Sequence, residues 1–220
     1  MTTTRHAPAR RRRRSSGGRP RRRATRGQAV RRRLALLLGA IVLGLVAAAV
    51  MTPWLDKAVQ ELALPLRHED IIRQQARDKD LDPSLIAAVI YTESRFVDQT
   101  SSAGAKGLMQ ILPSTADYIA QKSGGTQFEQ GDLATPQINI AYGSWYLNYL
   151  LRKYRGSEVL ALAAYNAGEG KLDEWLRTAA ARGETFTAAR IPFPETRAYV
   201  KKVLQARAQY RREYARELGL

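Results

Sequence analysis

The feature of this sequence that most restricts its possible folds is a long apolar run without charge. Residues 34–52 are nineteen consecutive uncharged residues, rich in Leu, Ala and Val. A helix of this length spans the hydrocarbon core of a bilayer. Trp54 follows, where tryptophan suits the interface between membrane and water. We therefore predict a transmembrane helix over residues 34–54.

A strongly basic segment precedes this run. Residues 1–33 contain fourteen Arg, no Lys and no acidic residue, whereas the rest of the chain has 22 basic and 20 acidic residues. A segment of this composition has too little apolar surface to bury, and we expect it to be a disordered tail. Because basic residues stay on the cytoplasmic side of a membrane, the N-terminus is predicted to be cytoplasmic and the remainder extracytoplasmic.

Two other interpretations of the N-terminal region stay open. The small residues Ala47, Ala48 and Ala49 resemble a signal-peptidase site, so the chain could be secreted after cleavage. The basic segment and the apolar run are both longer than those of a usual signal peptide, which favours a retained anchor. The Arg residues could also bind nucleic acid. A basic run beside an apolar span more often sets topology or contacts anionic lipid, so we expect no nucleic-acid partner.

The composition also limits the chemistry that is available. The chain has no Cys and two His, which are His6 in the tail and His68 near a predicted helix start. A disulfide framework and thiolate catalysis are therefore excluded. With one His outside the tail, a Ser-His-Asp triad or a His-based metal site is disfavoured, and we predict no metal site.

The rest of the sequence reads as a short connector, residues 55–66, and one domain, residues 67–220. Gly and Pro separate stretches with helical periodicity. The predicted helices are 68–79, 83–93, 114–122, 136–154, 158–165, 171–180 and 195–218, with a loop at 182–190. No stretch alternates apolar and polar residues for long, so we predict a mainly α domain with little or no sheet.

Glu93 is the strongest candidate for chemistry. It ends a predicted helix in which Asp82 can cap the N-terminus and Pro83 suits the first turn. The helical repeat places it on one face with the apolar residues Ile86, Val89 and Ile90. Desolvation beside a core raises the pKa of a carboxyl, and a carboxyl protonated near neutral pH can act as a general acid. The alternative is a half-exposed carboxylate, or one paired with an Arg.

Two downstream segments combine small residues with amides and an aromatic ring. Residues 98–107 are polar and glycine-bearing and lead to Gln110, and residues 163–168 contain Tyr165 and Asn166. Small residues let a ligand approach the backbone, and amide and aromatic side chains suit an uncharged, polyhydroxylated ligand such as a sugar chain. Taken singly, each segment could be an ordinary turn or helix end.

Together these segments resemble the family of soluble-type lytic transglycosylases, which shares the goose-type lysozyme fold. The resemblance covers roughly residues 68–205. The matching residues, in the order of the family, are Glu93-Ser94, Gly104 to Gln110, Asn139-Ile140 with Gly143 and Tyr146-Leu147, Ala164 to Gly168, and Pro194-Glu195-Thr196 with Tyr199-Val200. The resemblance implies a lysozyme-like helical domain that acts on peptidoglycan glycan strands.

The resemblance also implies roles for individual residues. Glu93 matches the single catalytic acid and base, and Tyr165 matches a tyrosine that faces the reacting centre. The positions implied to line the sugar groove are Ser101, Gln110, Asn166 and, as a looser match, Tyr146. Leu112 stands where many members have Met, so no role is carried to it. Glu195 also matches, but its place near a helix start favours capping or packing.

The implied reaction needs one carboxyl group. Ordinary glycosidases use two carboxylates that flank the bond, and Asp98, Asp117 and Asp132 lie in no comparably specific motif. In the family, the N-acetyl group of the muramic sugar assists departure and the C6 hydroxyl of the same sugar attacks. The MurNAc–GlcNAc β-1,4 bond is thereby cleaved with a 1,6-anhydro end, and no metal or cofactor is implied.

Two alternative functions stay open. A hydrolytic muramidase on the same fold would need a water and a second carboxylate, for which Asp98 or Asp132 is the candidate. A non-catalytic glycan-binding module is disfavoured because the acid and the groove residues are intact. The sequence leaves open the oligomeric state, the choice between cleavage at strand ends or within strands, and any protein partner.

Overall fold

The computed structural model describes residues 26–124 and 128–220, with side chains described over residues 31–52, 62–124 and 128–220. The described residues fall into two compact units that divide between residues 55 and 56.

A single long helix, α1, contains the apolar run and covers Arg26–Ala63. Its segment Arg31–Thr52 has a mean hydropathy of 2.8 and is unburied, so by length and composition it can cross a membrane. The helix begins before the predicted span and continues through most of the predicted connector. This extension is explained by the flanking residues, because they include residue types of high helix propensity: Arg, Gln, Ala, Glu and Lys. The tail predicted for residues 1–25 lies outside the described residues.

The second unit is a helical domain. Its helices are α2 Glu69–Lys79, α3 Pro83–Ser94, α4 Pro113–Ser123, α5 Pro136–Lys153, α6 Glu158–Ala167, α7 Glu169–Ala181, α8 Pro194–Glu213 and α9 Ala215–Leu218, with 3-10 turns at Gln130–Ala134 and Ala188–Arg190. The described ranges contain isolated β-bridges around Lys106 but no extended strand. The predicted helices are confirmed to within two residues, except that the helix predicted over 195–218 is interrupted at Tyr214.

The central helix α3 begins as the sequence predicts. The Asp82 carboxylate accepts a hydrogen bond from the Ser84 amide at 2.8 Å, and Pro83 occupies the first turn. The same carboxylate pairs with Arg207 at 2.8 Å and Arg211 at 3.0 Å, both near the end of α8. The start of α3 thus lies beside the end of α8. The two helices are antiparallel, which brings the end of α3 beside the start of α8.

A loop, residues 95–112, leaves the end of α3 and is held by the side chain of Asn139 in α5. Asn139 of α5 is fully buried and donates to the carbonyls of Lys106 at 2.9 Å and Leu133 at 3.0 Å. Its Oδ1 accepts from the Met109 amide at 2.8 Å. A Cβ on Gly107, whose φ is +76°, would lie 2.1 Å from the Asn139 amide nitrogen, so this position requires glycine.

The chain that follows α1 is packed into the helical domain by three tyrosines. The hydroxyl of Tyr91 donates to the Ala63 carbonyl at 3.0 Å, that of Tyr214 donates to Leu64 at 2.8 Å, and that of Tyr210 donates to Pro65. Leu64 is 7% exposed. The last carbonyls of a helix need donors from outside it, and Tyr91 supplies one for Ala63, the last residue of α1. Tyr214 and Tyr210 bind the two carbonyls that follow the helix. Residues 63–66, which the sequence assigned to a connector, therefore pack as part of the domain.

Candidate active site

Glu93 lies at the last turn of α3, next to the start of α8. Its Oε1 accepts a hydrogen bond from the Tyr199 hydroxyl at 2.8 Å. Burial raises the pKa of the Glu93 carboxyl from 4.5 to about 7, against the opposing effects of the Tyr199 hydrogen bond and the positive charge of Lys202. The expected rise in pKa is found, and no Arg pairs with Glu93 in the described ranges. A carboxyl of this kind can both donate and accept a proton near neutral pH.

Tyr165, on α6, lies near Glu93 in the candidate active site. Its hydroxyl donates to the Met109 carbonyl at 2.9 Å. Burial, followed by the negative charge of Glu93, raises the pKa of Tyr165 well above its usual value. The pKa of Tyr199 is raised by burial and then by Glu93 and Tyr165. Both hydroxyls stay protonated at neutral pH, and the structure brings Glu93 and Tyr165 together.

Tyr146 lies behind Tyr165 rather than in open solvent. Their ring centroids are 5.6 Å apart, and Tyr146 is 8% exposed. The Glu169 carboxylate accepts from Tyr146 at 3.5 Å and from Tyr149 at 3.2 Å, and it pairs with Lys153 at 2.7 Å. Burial and the charge of Glu169 raise the pKa of Tyr146. Tyr146 therefore packs against Tyr165 and is itself held by hydrogen bonding to Glu169.

Two of the predicted groove residues lie in the loop that follows α3. Gln110 has a φ of +48°, and its Nε2 donates to the carbonyls of Gln99 at 2.9 Å and Gly107 at 2.8 Å. The amide nitrogen is thus used to fold the loop. Ser101 Oγ accepts from the Ala105 amide at 3.1 Å and closes a turn.

Asn166 joins α6 to α8 near Glu93. Its Oδ1 accepts from the Thr196 hydroxyl at 2.7 Å, and the residue is exposed. Thr196 is itself buried, one helical turn before Tyr199. Contacts of Ser101, Gln110, Tyr146 and Asn166 with sugar stay predictions.

The other candidate acids have different surroundings. Asp132 accepts from the Glu129 amide at 2.9 Å in the capping box of a 3-10 turn, Asp117 accepts from Gln130 at 3.5 Å, and Asp98 is exposed. Glu195 is exposed in the first turn of α8, where a carboxylate interacts favourably with the helix dipole. In the described ranges, no three His, Cys, Asp or Glu side chains form a cluster that could hold a metal ion.

Tyr199 is a site residue for which the sequence analysis predicted no role. The sequence contained a signal, because the helical repeat places Tyr199 on one face with the apolar Val203 and with Tyr210. In the structure Tyr199 is 8% exposed. A buried tyrosine needs a partner for its hydroxyl. The sequence could not identify Glu93 as that partner, since the two residues are 106 positions apart.

A profile of the Transglycosylase SLT domain family matches residues 70–186, more than half of the chain. The chain belongs to this family. The profile ends before α8, so the hydrogen bond between Tyr199 and Glu93 is an observation of the structure alone.

Named relatives of this SLT-domain chain are lytic transglycosylases. It is 36% identical over 172 residues to the soluble lytic murein transglycosylase of Salmonella typhimurium, covering 72% of this chain and 27% of that protein. It is 31% identical over 165 residues to membrane-bound lytic murein transglycosylase C of Actinobacillus pleuropneumoniae, covering 64% of this chain and 44% of that protein. The SLT-domain chain thus spans about a quarter to under half of the length of these relatives.

Solved structures confirm the expected lysozyme-like helical fold. The 70 kDa soluble lytic transglycosylase of Escherichia coli superposes with a TM-score of 0.65 at 34% identity, over 72% of this chain and 26% of that one. An inactive mutant of the Pseudomonas aeruginosa lytic transglycosylase, in which Gln replaces a Glu, superposes with a TM-score of 0.64 at 33% identity. This superposition covers 71% of this chain and 26% of the Pseudomonas chain.

Proposed function

We propose that this SLT-domain chain is a membrane-anchored peptidoglycan lytic transglycosylase. It would cleave the MurNAc–GlcNAc β-1,4 bond and leave a 1,6-anhydro-MurNAc end. The observation that carries the proposal is the Glu93 carboxyl, whose pKa burial raises to about 7 and whose Oε1 is held by Tyr199 beside Tyr165. Membership of the SLT-domain family and the names of its relatives support the reaction class.

The Glu93 carboxyl acts twice in the proposed reaction. Because Tyr199 occupies Oε1, Oε2 is the oxygen that donates its proton to the departing glycosidic oxygen. As the C1–O4 bond breaks, the N-acetyl group of the muramic sugar stabilises the developing positive charge at C1. The C6 hydroxyl then forms a bond to C1 and gives its proton to Glu93. The carboxyl is thereby restored to its starting state, and no water is consumed.

The surroundings of the other carboxylates are consistent with a mechanism that uses one acid. Asp132 caps a 3-10 turn and Asp98 is exposed, and Glu93 takes its hydrogen bond from a tyrosine. In the Pseudomonas relative, one Glu→Gln exchange accompanies loss of activity. This supports a mechanism that depends on one glutamate, and Glu93 is our candidate.

The anchor rests on separate evidence. Arg31–Thr52 is apolar enough to cross a membrane, and relatives are named membrane-bound. We propose that α1 holds the chain in the cytoplasmic membrane, with the N-terminus cytoplasmic and the domain facing peptidoglycan.

The test uses the full chain, purified in detergent, on peptidoglycan sacculi in water labelled with heavy oxygen. We expect unlabelled 1,6-anhydro ends, lighter than hydrolysed ends by one water. Glu93→Gln should reduce the rate at least about a hundredfold, the scale of a positioned acid and base, while Asp98→Asn should keep it. Labelled reducing ends as the main product would instead establish the hydrolytic muramidase.

A further inference from the structure

One cavity lies away from Glu93, which is not among its lining residues. It has a volume of about 850 Å³, between the end of α2, the outer face of α5 and the start of α6. A neighbouring cavity of about 450 Å³ shares Trp145, Asn148 and Arg152 with it. These volumes are typical of small-ligand sites. The residues that matter for its chemistry are Trp145, Asn148, Arg152, Arg77 and Asp80.

Trp145 forms a fixed aromatic platform in this cavity. Its ring is nearly parallel to that of Tyr149, with 5.6 Å between centroids and 3° between planes, so one indole face is covered. The remainder of this half-buried ring lines both cavities. The Tyr149 hydroxyl is bonded to Tyr118 at 2.9 Å and to Glu169 at 3.2 Å. The support under Trp145 is therefore held in place.

The polar groups around this platform offer both donors and acceptors. Arg77 and Arg152 are exposed and form no ion pair within the described ranges, and Asp80 is exposed nearby. Asn148 donates to the Lys79 carbonyl, which fixes its amide. Hydroxyl groups both donate and accept hydrogen bonds. A wall with balanced charge beside an aromatic face suits an uncharged, hydroxyl-bearing ring rather than an ion.

A row of aromatic rings runs from Trp145 in the cavity, through Tyr149 and the buried Tyr146, to Tyr165 of the candidate active site. Centroid distances are 5.6 Å from Trp145 to Tyr149, 6.2 Å from Tyr149 to Tyr146 and 5.6 Å from Tyr146 to Tyr165. We propose that the cavity at Trp145 is a second saccharide site, which holds a sugar ring of the glycan strand away from the bond that is cleaved. The identity of the strand rests on the proposed function, whereas the saccharide chemistry of the site does not.

Calorimetric titration of the full chain in detergent with the N-acetylglucosamine tetramer tests this site. All variants carry Glu93→Gln, so that binding is measured without turnover. The parent should show two binding events, and Trp145→Ala should remove one or weaken it at least about tenfold. Trp145→Phe, which keeps a ring, should retain part of the binding. Arg212→Ala, on the exposed end of α8, is the control and should bind as the parent does.

A second variant separates loss of binding from loss of folding. Arg77→Ala combined with Arg152→Ala changes only exposed side chains, and it should weaken the same event while thermal unfolding is unchanged. Equal binding by the parent, Trp145→Ala and the double Arg variant would overturn the second site. If the active chain releases no anhydro product from sacculi but Trp145 is still needed for binding, the proposed reaction fails and the saccharide site stands.

Discussion

At the scale of single residues, Glu93 couples the proposed chemistry to stability. Its pKa is raised from 4.5 to about 7, so between these values the folded chain binds more protons than the unfolded chain. The stability that Glu93 contributes is therefore fully present below pH 4.5 and is lost as the pH rises through about 7. The cause is the burial that disfavours the carboxylate.

We expect Glu93→Gln to remove this dependence on pH. Gln carries no charge at any pH, so the variant should be more stable than the parent above pH 7, by on the order of 1–3 kcal/mol, and similar to it near pH 5. Urea unfolding of both proteins at pH 5 and pH 8 measures the difference. An equal loss of stability in parent and variant over this interval would assign the effect to other groups.

Tyr199 should tune the pKa of Glu93. Its hydroxyl donates to the carboxylate and holds the pKa of Glu93 down, so Tyr199→Phe should raise that pKa further. The fall of kcat/KM at high pH should then move upward by on the order of half to one pH unit. Tyr154→Phe removes a hydroxyl that binds Asp173 at 2.9 Å and is the control. Matching pH profiles for the parent and Tyr199→Phe would contradict this role.

Local sequence patterns predicted what depends on neighbours along the chain. The cap at Asp82 and the apolar face that leads to Glu93 follow from spacing within one helix. The hydrogen-bond partners of Gln110 and Tyr199 could not be predicted from such spacing. Gln110 folds its own loop through a backbone with positive φ, and Tyr199 comes from a helix 106 residues away. The contacts of Gln110 depend on the conformation of its loop, and that of Tyr199 depends on tertiary packing. Periodicity encodes neither.

At the scale of elements, the loop after α3 is fitted against α5. A Cβ on Gly143 would lie 2.3 Å from the sulfur of Met109, which is fully buried. The carbonyl of Met109 accepts from Tyr165, and Gln110 follows it. The close packing of α5 against Met109 therefore positions two candidate site residues.

We expect Gly143→Ala to cost about 1–3 kcal/mol of stability, the usual cost of overpacking a core. It should also reduce peptidoglycan cleavage, because Met109 must move. Gly170→Ala in α7 is the matched control: a Cβ there meets no atom within 4 Å, and Ala favours helix. Thermal unfolding and product release measure both effects. Full stability and activity in Gly143→Ala would show that Met109 moves without consequence.

Helix bounds were predictable where Pro or Gly marks them, as at Pro83, Pro113, Pro136 and Gly124. The interruption of the last helix at Tyr214 was not, because no such residue precedes it. Tyr214 has a φ of −128°, and its hydroxyl donates to the Leu64 carbonyl. The helix is thus interrupted where Tyr214 contacts a residue 150 positions earlier in the chain. Local helix propensity does not predict such a contact.

At the scale of the whole molecule, charge and hydropathy divide the chain more sharply than motifs do. Fourteen Arg precede the apolar run, and the remainder is nearly neutral. The predicted start of the domain at residue 67 lies inside a packed region, because Leu64 is buried and three tyrosines bind the carbonyls of residues 63–65. Composition predicts an anchor but does not show where packing begins.

The proposed topology gives the last prediction. Translocating fourteen Arg across a membrane is strongly disfavoured, so Met1 should stay inside while the domain lies outside, tethered by α1. Protease added to intact spheroplasts should digest the domain and spare a tag at Met1, whereas in lysed spheroplasts the tag should be lost as well. A tag digested in intact cells would reverse the orientation. A full-length domain free in the medium, beginning near Val50, would establish cleavage at Ala47 to Ala49 and show that the apolar run serves export rather than anchoring.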